Sequence, residues 1–289
     1  MPGEQIDKSA VKPFLKWPGG KRWFVSRYSH LFPSNFGRYI EPFLGSGSVF
    51  FHLCPRAAIL GDTNPELIVT YSAIRDDFIG VEEALLEHEL NHSYEYYYAL
   101  RSTSPRSAIK RAARFLYLNR TCFNGIFRVN REGIFNVPIG TKDTVIFDDD
   151  DFGGVSEALE GAEICLADFE VLINLAQEND FVFADPPYTV RHNSNAFIKY
   201  NEQLFSWRDQ ERLAEAVARA RDRGAHVLVT NANHEAVRTL YLERSFQLES
   251  VSRFSPISAT STSRSQFEEL LVLSSKLRTS DNEVSNDCF

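Results

Sequence analysis

The chain has 289 residues, of which 43% are hydrophobic and 13% aromatic, enough for one large α/β domain with an insertion or for two small domains. No apolar run approaches the ~20 residues of a transmembrane helix, and the N-terminus lacks the apolar core of a signal peptide, so we expect a cytoplasmic protein. The net charge of −8 argues against a polyanionic partner, but positions 101–131 hold eight Arg or Lys and no Asp or Glu, a block typical of a nucleic-acid-binding surface.

The first predicted feature is a turn within the sequence FLKWPGGK, residues 14–21. Trp17 offers a flat apolar face beside a Pro-Gly-Gly turn whose backbone a ligand can approach closely, and Lys16 and Lys21 flank it. On this segment alone, a plain N-terminal turn with solvated lysines is the simpler interpretation.

Residues 38–50, RYIEPFLGSGSVF, predict a strand, a Gly-rich turn and a helix that begins near Ser48. Such a turn lets a nucleoside-type cofactor lie against the backbone and the helix N-terminus. Phe50 occupies the place of the third glycine of a dinucleotide site, so the pattern favours a cofactor without a pyrophosphate. A second strand, 57–62, ends at Asp62, at the spacing of a ribose-binding acid; a helix N-cap at this residue is compatible with either role.

From 65 to about 160 the pattern becomes helical, with amphipathic stretches at 81–90 and 107–118. Residues 120–133, RTCFNGIFRVNREG, alternate aromatic and basic residues with two Gly-containing turns, which predicts a loop or hairpin. Guanidinium groups read guanine or phosphates, amides read adenine, and an aromatic tip can wedge into a base step. An ordinary solvated hairpin is the alternative.

Two features of the sequence give weak evidence for a metal site or for disulfides. His88 and His92 match the HExxH pattern of zinc peptidases, but no recognisable third ligand follows, so we expect no metal site. The four cysteines, at 54, 122, 165 and 288, show no CxxC spacing and are expected to be reduced thiols.

The sequence FVFADPPY, residues 181–188, is central to the prediction. A short buried strand runs into Asp185, and Pro186 and Pro187 cannot continue a ladder, so the carboxylate lies at the carboxyl end of the strand. Asp185 and the Pro186 carbonyl can accept both protons of a planar amine while Tyr188 stacks on its ring. A strand-ending turn without function is the alternative.

The remaining elements follow an α/β order. A strand at 163–166 precedes Asp168 and Phe169, and residues 193–205 predict a loop over the site. Ser206 and Asp209 form a capping box for a helix that ends at Gly224. A strand at 226–230, a helix at 234–243 and strands at 246–251 and 267–273 complete the fold, with a Ser/Thr-rich loop at 258–264 and a polar, disordered tail at 274–289.

These motifs, in this order, resemble the Dam family of DNA adenine-N6 methyltransferases, which belongs to the D12 class. LKWPGGK, EPFLGSGSVF, GDTNPEL, FLYLNRTCFNGIFRVNREGIFNVPIG, FADPPY and SRSQFEELL carry the resemblance. It implies a Rossmann-like S-adenosylmethionine-dependent methyltransferase sheet, formed by residues 11–65 and 159–273. An inserted, mostly helical target-recognition domain at 66–158 would carry a hairpin near 121–137.

The resemblance also implies roles for individual residues. S-adenosylmethionine would be bound by Trp17, Lys21, Glu41, Pro42, Phe43, Gly45, Gly47, Asp62, Asp168, Phe169 and Asp185. The catalytic residues would be Asp185, Pro186, Pro187 and Tyr188. Contacts to DNA phosphates would come from Arg101, Arg120, Asn130 and Asn136, and base reading from Phe123, Asn124, Ile126, Arg128 and Pro138, with Lys16 near the site.

The expected activity is methyl transfer from S-adenosylmethionine to N6 of adenine in a short duplex site, GATC or a related one, with the target base flipped. Some family features differ: Phe123 stands where Tyr is frequent, and Ser265 and Gln266 replace lysines, which predicts a shallower salt dependence of DNA binding. We expect a monomer that acts on double-stranded DNA at the nucleoid, and a cognate restriction endonuclease is compatible with the resemblance. A cytosine-N4 methyltransferase, a non-catalytic DNA-binding regulator and a zinc peptidase are the alternatives.

Overall fold

The computed structural model describes residues 11–130, 133–188, 205–254 and 266–274. The predicted loops at 193–204 and 258–264 and the predicted tail beyond residue 274 lie outside these ranges. The chain divides into two compact units, the first made of Met1–Phe32 and Gly37–Leu175 and the second of Pro33–Phe36 and Ala176–Phe289. No helix in the described parts of the chain is both long and apolar enough to cross a membrane.

The first unit contains three strands and most of the helices. Its elements are α1 (Arg22–Tyr28), β1 (Tyr39–Glu41), α2 (Ser48–Leu53), β2 (Ala58–Asp62), α3 (Pro65–Leu90), α4 (Tyr94–Arg101), α5 (Ala108–Thr121), α6 (Phe152–Leu159), β3 (Ala162–Leu166) and α7 (Phe169–Ile173). Short 3-10 turns occupy Ser29–Leu31 and Phe123–Gly125.

The three strands of this unit run parallel in the order β3-β2-β1. Ile40 pairs with Ile59, and Asp62 pairs with Leu166, so the carboxyl ends of the strands lie along one edge. All three residues of β1 and the first four of β2 are buried, as expected of parallel strands covered on both faces. Glu41 and Asp62 therefore both finish their strands at the edge where open α/β sheets bind ligands.

Helix α3 is longer than the sequence pattern predicted and bends at Asp77. The Asp77 backbone is extended, and its side chain accepts a hydrogen bond from the Gly80 N–H at 3.0 Å. Asp77 thus caps the second segment of α3, which includes the predicted amphipathic stretch 81–90. The bend has a local cause, a side chain that competes for backbone N–H groups.

The second unit continues the α/β pattern. Its elements are β4 (Phe181–Ala184), α8 (Trp207–Asp222), β5 (His226–Ala232), α9 (Glu235–Leu242), β6 (Gln247–Phe254) and β7 (Gln266–Leu273). Strands β4 and β5 are parallel, while β7 lies antiparallel between β5 and β6. Every residue of β4 is buried, which confirms the predicted buried strand before Asp185.

The predicted ends of α8 are confirmed. Ser206 accepts a hydrogen bond from the Asp209 N–H, and the Asp209 carboxylate accepts one from the Ser206 N–H, the reciprocal pair of a capping box. Gly224 follows the helix with φ of +91°, the left-handed conformation that glycine adopts without steric cost.

The mixed α/β architecture, with parallel strands in the first unit and parallel and antiparallel strands in the second, confirms the predicted Rossmann-like methyltransferase class. Residues 66–158, the predicted inserted domain, are mostly helical and lie entirely in the first unit. The division at residues 175 and 176 does not coincide with the predicted limits at 65 and 158, so the inserted recognition domain stays a prediction.

Candidate functional site

The glycine turn of the first unit connects β1 to α2. Glu41, at the end of β1, is 3% exposed and accepts a 2.9 Å hydrogen bond from the Tyr39 hydroxyl. Burial, and then the Glu41 charge, raises the pKa of Tyr39 well above its usual value, so this phenol stays a donor. Gly47 is the N-cap of α2 and has φ of +62°, which leaves the turn free of a side chain at the helix N-terminus.

Gly45 brings Trp17 against this turn. Its φ is +48°, and an added Cβ atom would lie 2.8 Å from Cδ1 of the Trp17 indole. Its carbonyl accepts from the Tyr71 hydroxyl at 3.1 Å, and its N–H donates to Asp62 Oδ2 at 3.3 Å. Three predicted site residues, Trp17, Gly45 and Asp62, are therefore in contact, and the turn cannot accommodate a larger residue at 45.

Asp62 ends β2 and orients the turn before α3, but the expected N-cap at this residue is wrong because Asn64 is the N-cap of α3. Its Oδ1 accepts from the Asn64 N–H at 2.9 Å, while the Asn64 side chain caps α3. Burial raises the pKa of Asp62 above its ordinary 3.8, and the backbone donors of Asn64 and Gly45 oppose that rise. A half-buried carboxylate with oriented oxygens is a suitable acceptor for ribose hydroxyls.

Phe43 and Phe169 form the second contact between predicted residues. Their rings stack with centroids 5.4 Å apart at an interplanar angle of 23°. Asp168 caps α7 by accepting from the Glu170 N–H at 2.9 Å, which fixes the start of the helix that carries Phe169. Helix α7 lies close to β2 because Gly61 has no side chain; a Cβ atom there would lie 2.0 Å from the Leu172 side chain.

Lys21 and the 17–20 turn complete this part of the site. The Gly20 N–H donates to the Trp17 carbonyl, and Gly19 has φ of +80°, as a turn requires. Lys21 is 4% exposed and donates through Nζ to the Gly19 carbonyl at 3.2 Å. The solvated-lysine interpretation is therefore wrong for Lys21.

In the second unit, two side chains hold segment 185–188. Asp185 Oδ1 accepts a 2.6 Å hydrogen bond from the Thr230 hydroxyl, and the Tyr188 hydroxyl donates to Glu269 Oε2 at 2.7 Å. Burial, followed by the charges of Asp185 and Glu269, raises the pKa of Tyr188 well above its usual value. Pro186 is buried, whereas Asp185, Pro187 and Tyr188 are partly exposed.

Thr230 and Glu269 were not among the predicted site residues. The sequence did contain a cue for Glu269, because an acid within the apolar run of β7 is unusual. The structure shows that this acid is only 5% exposed. Thr230 resembled an ordinary strand residue, and only the pairing of β4 with β5 brings it beside Asp185.

The predicted hairpin forms from residue 121 to 140. The Phe123 N–H donates to the Pro138 carbonyl, the Asn136 N–H donates to the Arg128 carbonyl, and antiparallel bridges join 122 to 139 and 129 to 135. Buried positions alternate with exposed ones along it. The predicted DNA-contacting residues Phe123, Asn124, Ile126, Arg128, Asn130, Asn136 and Pro138 are all exposed.

Local hydrogen bonds organise the exposed side chains of the hairpin. Arg128 donates through Nε to Asn136 Oδ1 at 2.9 Å, and Asn130 accepts from the Ile134 N–H at 2.9 Å. Near the base of the hairpin, where the Phe123 N–H donates to the Pro138 carbonyl, Asn124 has φ of +56° and Phe123 is 52% exposed. The structure thus brings seven predicted DNA-contacting residues onto one element.

The other predicted DNA contacts lie at the base of the hairpin. The Asn119 side-chain amide accepts from the Lys16 N–H and donates to the Lys16 carbonyl, and the Lys16 ammonium lies 5.0 Å from the Phe147 ring centroid. Burial and the neighbouring Lys142 lower the pKa of Lys16. Arg101 donates to the Val137 carbonyl at 3.1 Å.

Arg120 does not face solvent. It is 1% exposed, and its guanidinium donates to both carboxylate oxygens of Asp150 and to the carbonyls of Val145 and Phe14. A phosphate could not reach it without breaking the pair with Asp150. In this arrangement the Arg120 guanidinium is bonded within the protein, and the expected phosphate contact stays a prediction.

A cavity of about 200 Å³ lies beside the hairpin. Arg101, Arg111 and Arg114 line it together with Phe127, and Arg111 pairs with Glu66 at 2.7 Å. Residues of the basic block at 101–131 supply most of the lining of this cavity.

The two histidines of the HExxH match bind tyrosines. His88 Nδ1 lies 2.7 Å from the Tyr96 hydroxyl and His92 Nδ1 lies 2.7 Å from the Tyr117 hydroxyl. The described residues contain no group of three or more His, Cys, Asp or Glu that could hold a metal. Helix α3 ends at Leu90, so the two histidines do not share one helical face, and the pattern has no support as a peptidase motif.

Comparison with known proteins identifies the family. A family model described as D12 class N6 adenine-specific DNA methyltransferase matches residues 17–257. The Type II methyltransferase M1.LlaDCHI of Lactococcus lactis is 35% identical over 93% of this chain and 97% of its own length. The DNA adenine methylase of Haemophilus influenzae is 30% identical over 94% and 97%, and that of Serratia marcescens 33% identical over 91% and 98%.

The match extends across both units, from the Trp17 turn to beyond the end of β6, and it confirms the resemblance drawn from the sequence motifs. The chain belongs to the D12 class of N6 adenine-specific DNA methyltransferases.

Proposed function

We propose that this enzyme methylates adenine N6 within a short specific duplex sequence, GATC or a related one, and that segment 185–188 holds the target base after it has been flipped. The observation that carries the proposal is the carboxylate of Asp185, which follows a fully buried strand, is partly exposed and is oriented by Thr230 at 2.6 Å. N6 inside a stacked duplex is unreachable, so the base has to leave the helix.

The chemical task is to make an exocyclic amine nucleophilic. The N6 lone pair is conjugated with the purine ring and is a poor nucleophile in that form. Hydrogen bonds from both N–H groups to Asp185 and to the Pro186 carbonyl favour the pyramidal form, in which the lone pair points away from the ring. Tyr188, anchored through its hydroxyl to Glu269, supplies a flat ring on which the purine stacks. Asp185 is also the group placed to accept the proton that N6 releases.

The first unit fits S-adenosylmethionine as the methyl donor. The turn at 41–47 is packed closely by Trp17 at Gly45 and by Tyr71 and Phe51 at Gly47, which fixes its backbone beside the Trp17 ring. Asp62 suits the ribose hydroxyls, and the stacked Phe43 and Phe169 suit an adenine ring. Further contacts would come from Trp17, Lys21, Glu41, Pro42, Asp168 and Asp185. When bound, this donor supplies an electrophilic methyl group on a sulfonium.

The hairpin supports recognition of a specific sequence. An exposed arginine such as Arg128 can read guanine, and Asn124, Ile126 and Pro138 project from the same element. Phe123, half exposed, is the aromatic wedge that opens a base step. Lys16, Arg101, Asn130 and Asn136 remain proposed contacts at the site and to phosphates, whereas Arg120 supports the hairpin from within. Residues 66–158 would then form the target-recognition domain.

Nucleoside analysis tests the proposal. Unmethylated plasmid DNA is incubated with the purified protein and S-adenosylmethionine, digested to nucleosides and separated by mass. We expect N6-methyldeoxyadenosine, and modification-sensitive sequencing should place it in one short recurring sequence. N4-methyldeoxycytidine as the product would establish the cytosine alternative, and no methylated nucleoside despite DNA binding would favour a non-catalytic regulator.

A further inference from the structure

We infer that Thr230 and Glu269 are positioning residues for methyl transfer, Thr230 for the Asp185 carboxylate and Glu269 for the Tyr188 ring. The inference rests on the proposed function of segment 185–188 and adds two residues that act through it. Both lie on strands of the second unit and are fixed by the sheet.

Thr230 stands opposite Asp185 because of strand register. Ala184 of β4 pairs with Val229 of β5, so the next residues on these parallel strands are neighbours at the carboxyl edge. Thr230 is fully buried, and its hydroxyl donates to Asp185 Oδ1 at 2.6 Å. A β-branched side chain has few allowed rotamers, so the hydroxyl is a fixed donor. It selects one orientation of the carboxylate that would receive the amine.

Glu269 holds the ring in a similar way. It pairs with Ala232 across the β5–β7 ladder and is 5% exposed, so its carboxylate needs hydrogen-bond donors. The Tyr188 hydroxyl supplies one at 2.7 Å, the usual length of an O–H···O hydrogen bond. The raised pKa of Tyr188 keeps the phenol protonated at neutral pH, so the donor persists.

The consequence is that two anchors act on two parts of one base-binding segment. Asp185 follows its strand directly, but Tyr188 comes after two prolines, which supply no N–H group to hold the chain. Side-chain anchors on rigid strands provide the required precision. Since a displacement of about 1 Å can reduce a rate by about 100-fold, loss of either anchor should slow the chemical step.

Thr230→Val tests the first anchor, because it keeps the side-chain shape and removes the hydroxyl. We expect the single-turnover rate of methyl transfer to fall by about 10- to 100-fold, with dissociation constants for DNA and S-adenosylmethionine changed by less than about threefold. Thr230→Ser keeps the hydroxyl and should recover most of the rate. Thr70→Val is the matched control, because it also removes a buried hydroxyl, which donates to the Glu66 carbonyl at 2.7 Å, and should leave the rate unchanged.

Tyr188→Phe and Glu269→Leu test the second anchor in a double-mutant cycle. Each single variant removes the same hydrogen bond, so each should slow transfer and the double variant should be no slower than the slower single variant. The fluorescence of 2-aminopurine at the target position reports the environment of the flipped base. It should change in the same way in both single variants.

The outcomes separate the inference from the proposed function. An inactive wild-type enzyme would contradict the proposed function itself. An active wild type with an equally fast Thr230→Val variant, or additive losses in the Tyr188 and Glu269 cycle, would overturn the positioning inference alone. If Thr230→Val does not fold, Thr230→Cys, whose thiol is a weak donor of similar size, should show the same loss of rate with folding checked by circular dichroism.

Discussion

At the scale of single residues, the burial of Arg120 bears on the role that we expect for it. The resemblance placed it at a phosphate, but its guanidinium lies against the Phe147 and Phe152 rings and binds Asp150 through two nitrogens. A buried pair is costly to break from one side, because the remaining charge has lost its partner.

Arg120→Ala should therefore reduce the free energy of unfolding by about 3–5 kcal/mol, measured by urea denaturation. Lys12→Ala is the control, since it breaks an ion pair to Asp149 whose side chains are 67% and 66% exposed, and should change stability within experimental error.

Asp150→Asn discriminates between the two roles of Arg120. If Arg120 is structural, this variant is also destabilised and binds DNA no more tightly. A stable Asp150→Asn variant with tighter, more salt-dependent DNA binding would instead show that a freed Arg120 reaches phosphates.

The sequence motifs identified site residues that are close together in the chain, but not those that meet only through the pairing of distant strands. Asp185 and Tyr188 stand in FADPPY, Gly45 follows β1, and Asp62 is the last residue of β2. Thr230 and Glu269 reach segment 185–188 only through strands that are distant in the chain, and no local pattern encodes strand order. Asp150, the partner of Arg120, lies in a turn 30 residues further along the chain, and no local pattern links the two residues.

At the scale of elements, the hairpin at 121–140 is the part of the molecule that we expect to read DNA. Its buried residues face a core that includes Trp17, whose ring stacks on Phe127 at 5.8 Å, and Gly125 lies against the Lys16 side chain. The element is thus held on one side, and its exposed side presents the predicted contacts.

Arg128→Ala should relax recognition at one base pair of the site. A bidentate contact to guanine contributes about 1–3 kcal/mol of discrimination, so the ratio of methylation rates between the cognate site and one single-base variant should fall by about 5- to 150-fold. The measurement compares kcat/KM on a set of singly substituted duplexes. Arg106→Ala, another exposed arginine within the basic block, is the control and should keep the preference.

A uniform loss of rate on all duplexes, with a smaller salt dependence, would contradict base reading by Arg128. That result would instead indicate a phosphate contact.

Element boundaries were predicted well where local chemistry decides them. The capping box of α8 and Gly224 mark that helix in the sequence itself, whereas α3 was only partly recognised. Its bend at Asp77 depends on a side-chain hydrogen bond to Gly80 that periodicity does not reveal.

At the scale of the whole molecule, contacts within the first unit explain why the predicted domain limits are not its compact limits. The Phe14 ring packs on Tyr71 and Phe152, and the Phe14 carbonyl accepts from Arg120. Residues before the predicted insertion and residues inside it therefore share one core. These residues are far apart in the sequence but pack against each other in the fold.

Buried tyrosines predict a cooperative loss of structure in alkali. Burial raises the pKa of Tyr39, Tyr71 and Tyr188 well above their ordinary 10.0, and that of Tyr117 to about 12. Because the folded state holds these protons more tightly than the unfolded chain, the stability from burying neutral phenols is complete below pH 10 and is lost as the pH rises above it.

Absorbance of tyrosinate at 295 nm, recorded with circular dichroism, measures this. We expect the buried phenols of Tyr39, Tyr71 and Tyr117 to ionise only together with the loss of helical signal. Ionisation of all 11 tyrosines near pH 10 with the fold intact would contradict the described core.

The central claim is that Asp185 performs the chemical step of adenine methylation. The most direct test is single-turnover transfer of a tritiated methyl group from S-adenosylmethionine to a duplex site by Asp185→Ala, with DNA affinity measured on the same preparation and Asp222→Ala, an exposed carboxylate, as control. We predict that transfer falls below detection in Asp185→Ala while its dissociation constant for DNA stays within about threefold of the wild-type value, and that Asp222→Ala behaves as wild type. Methyl transfer that survives the loss of the Asp185 carboxylate would contradict the account.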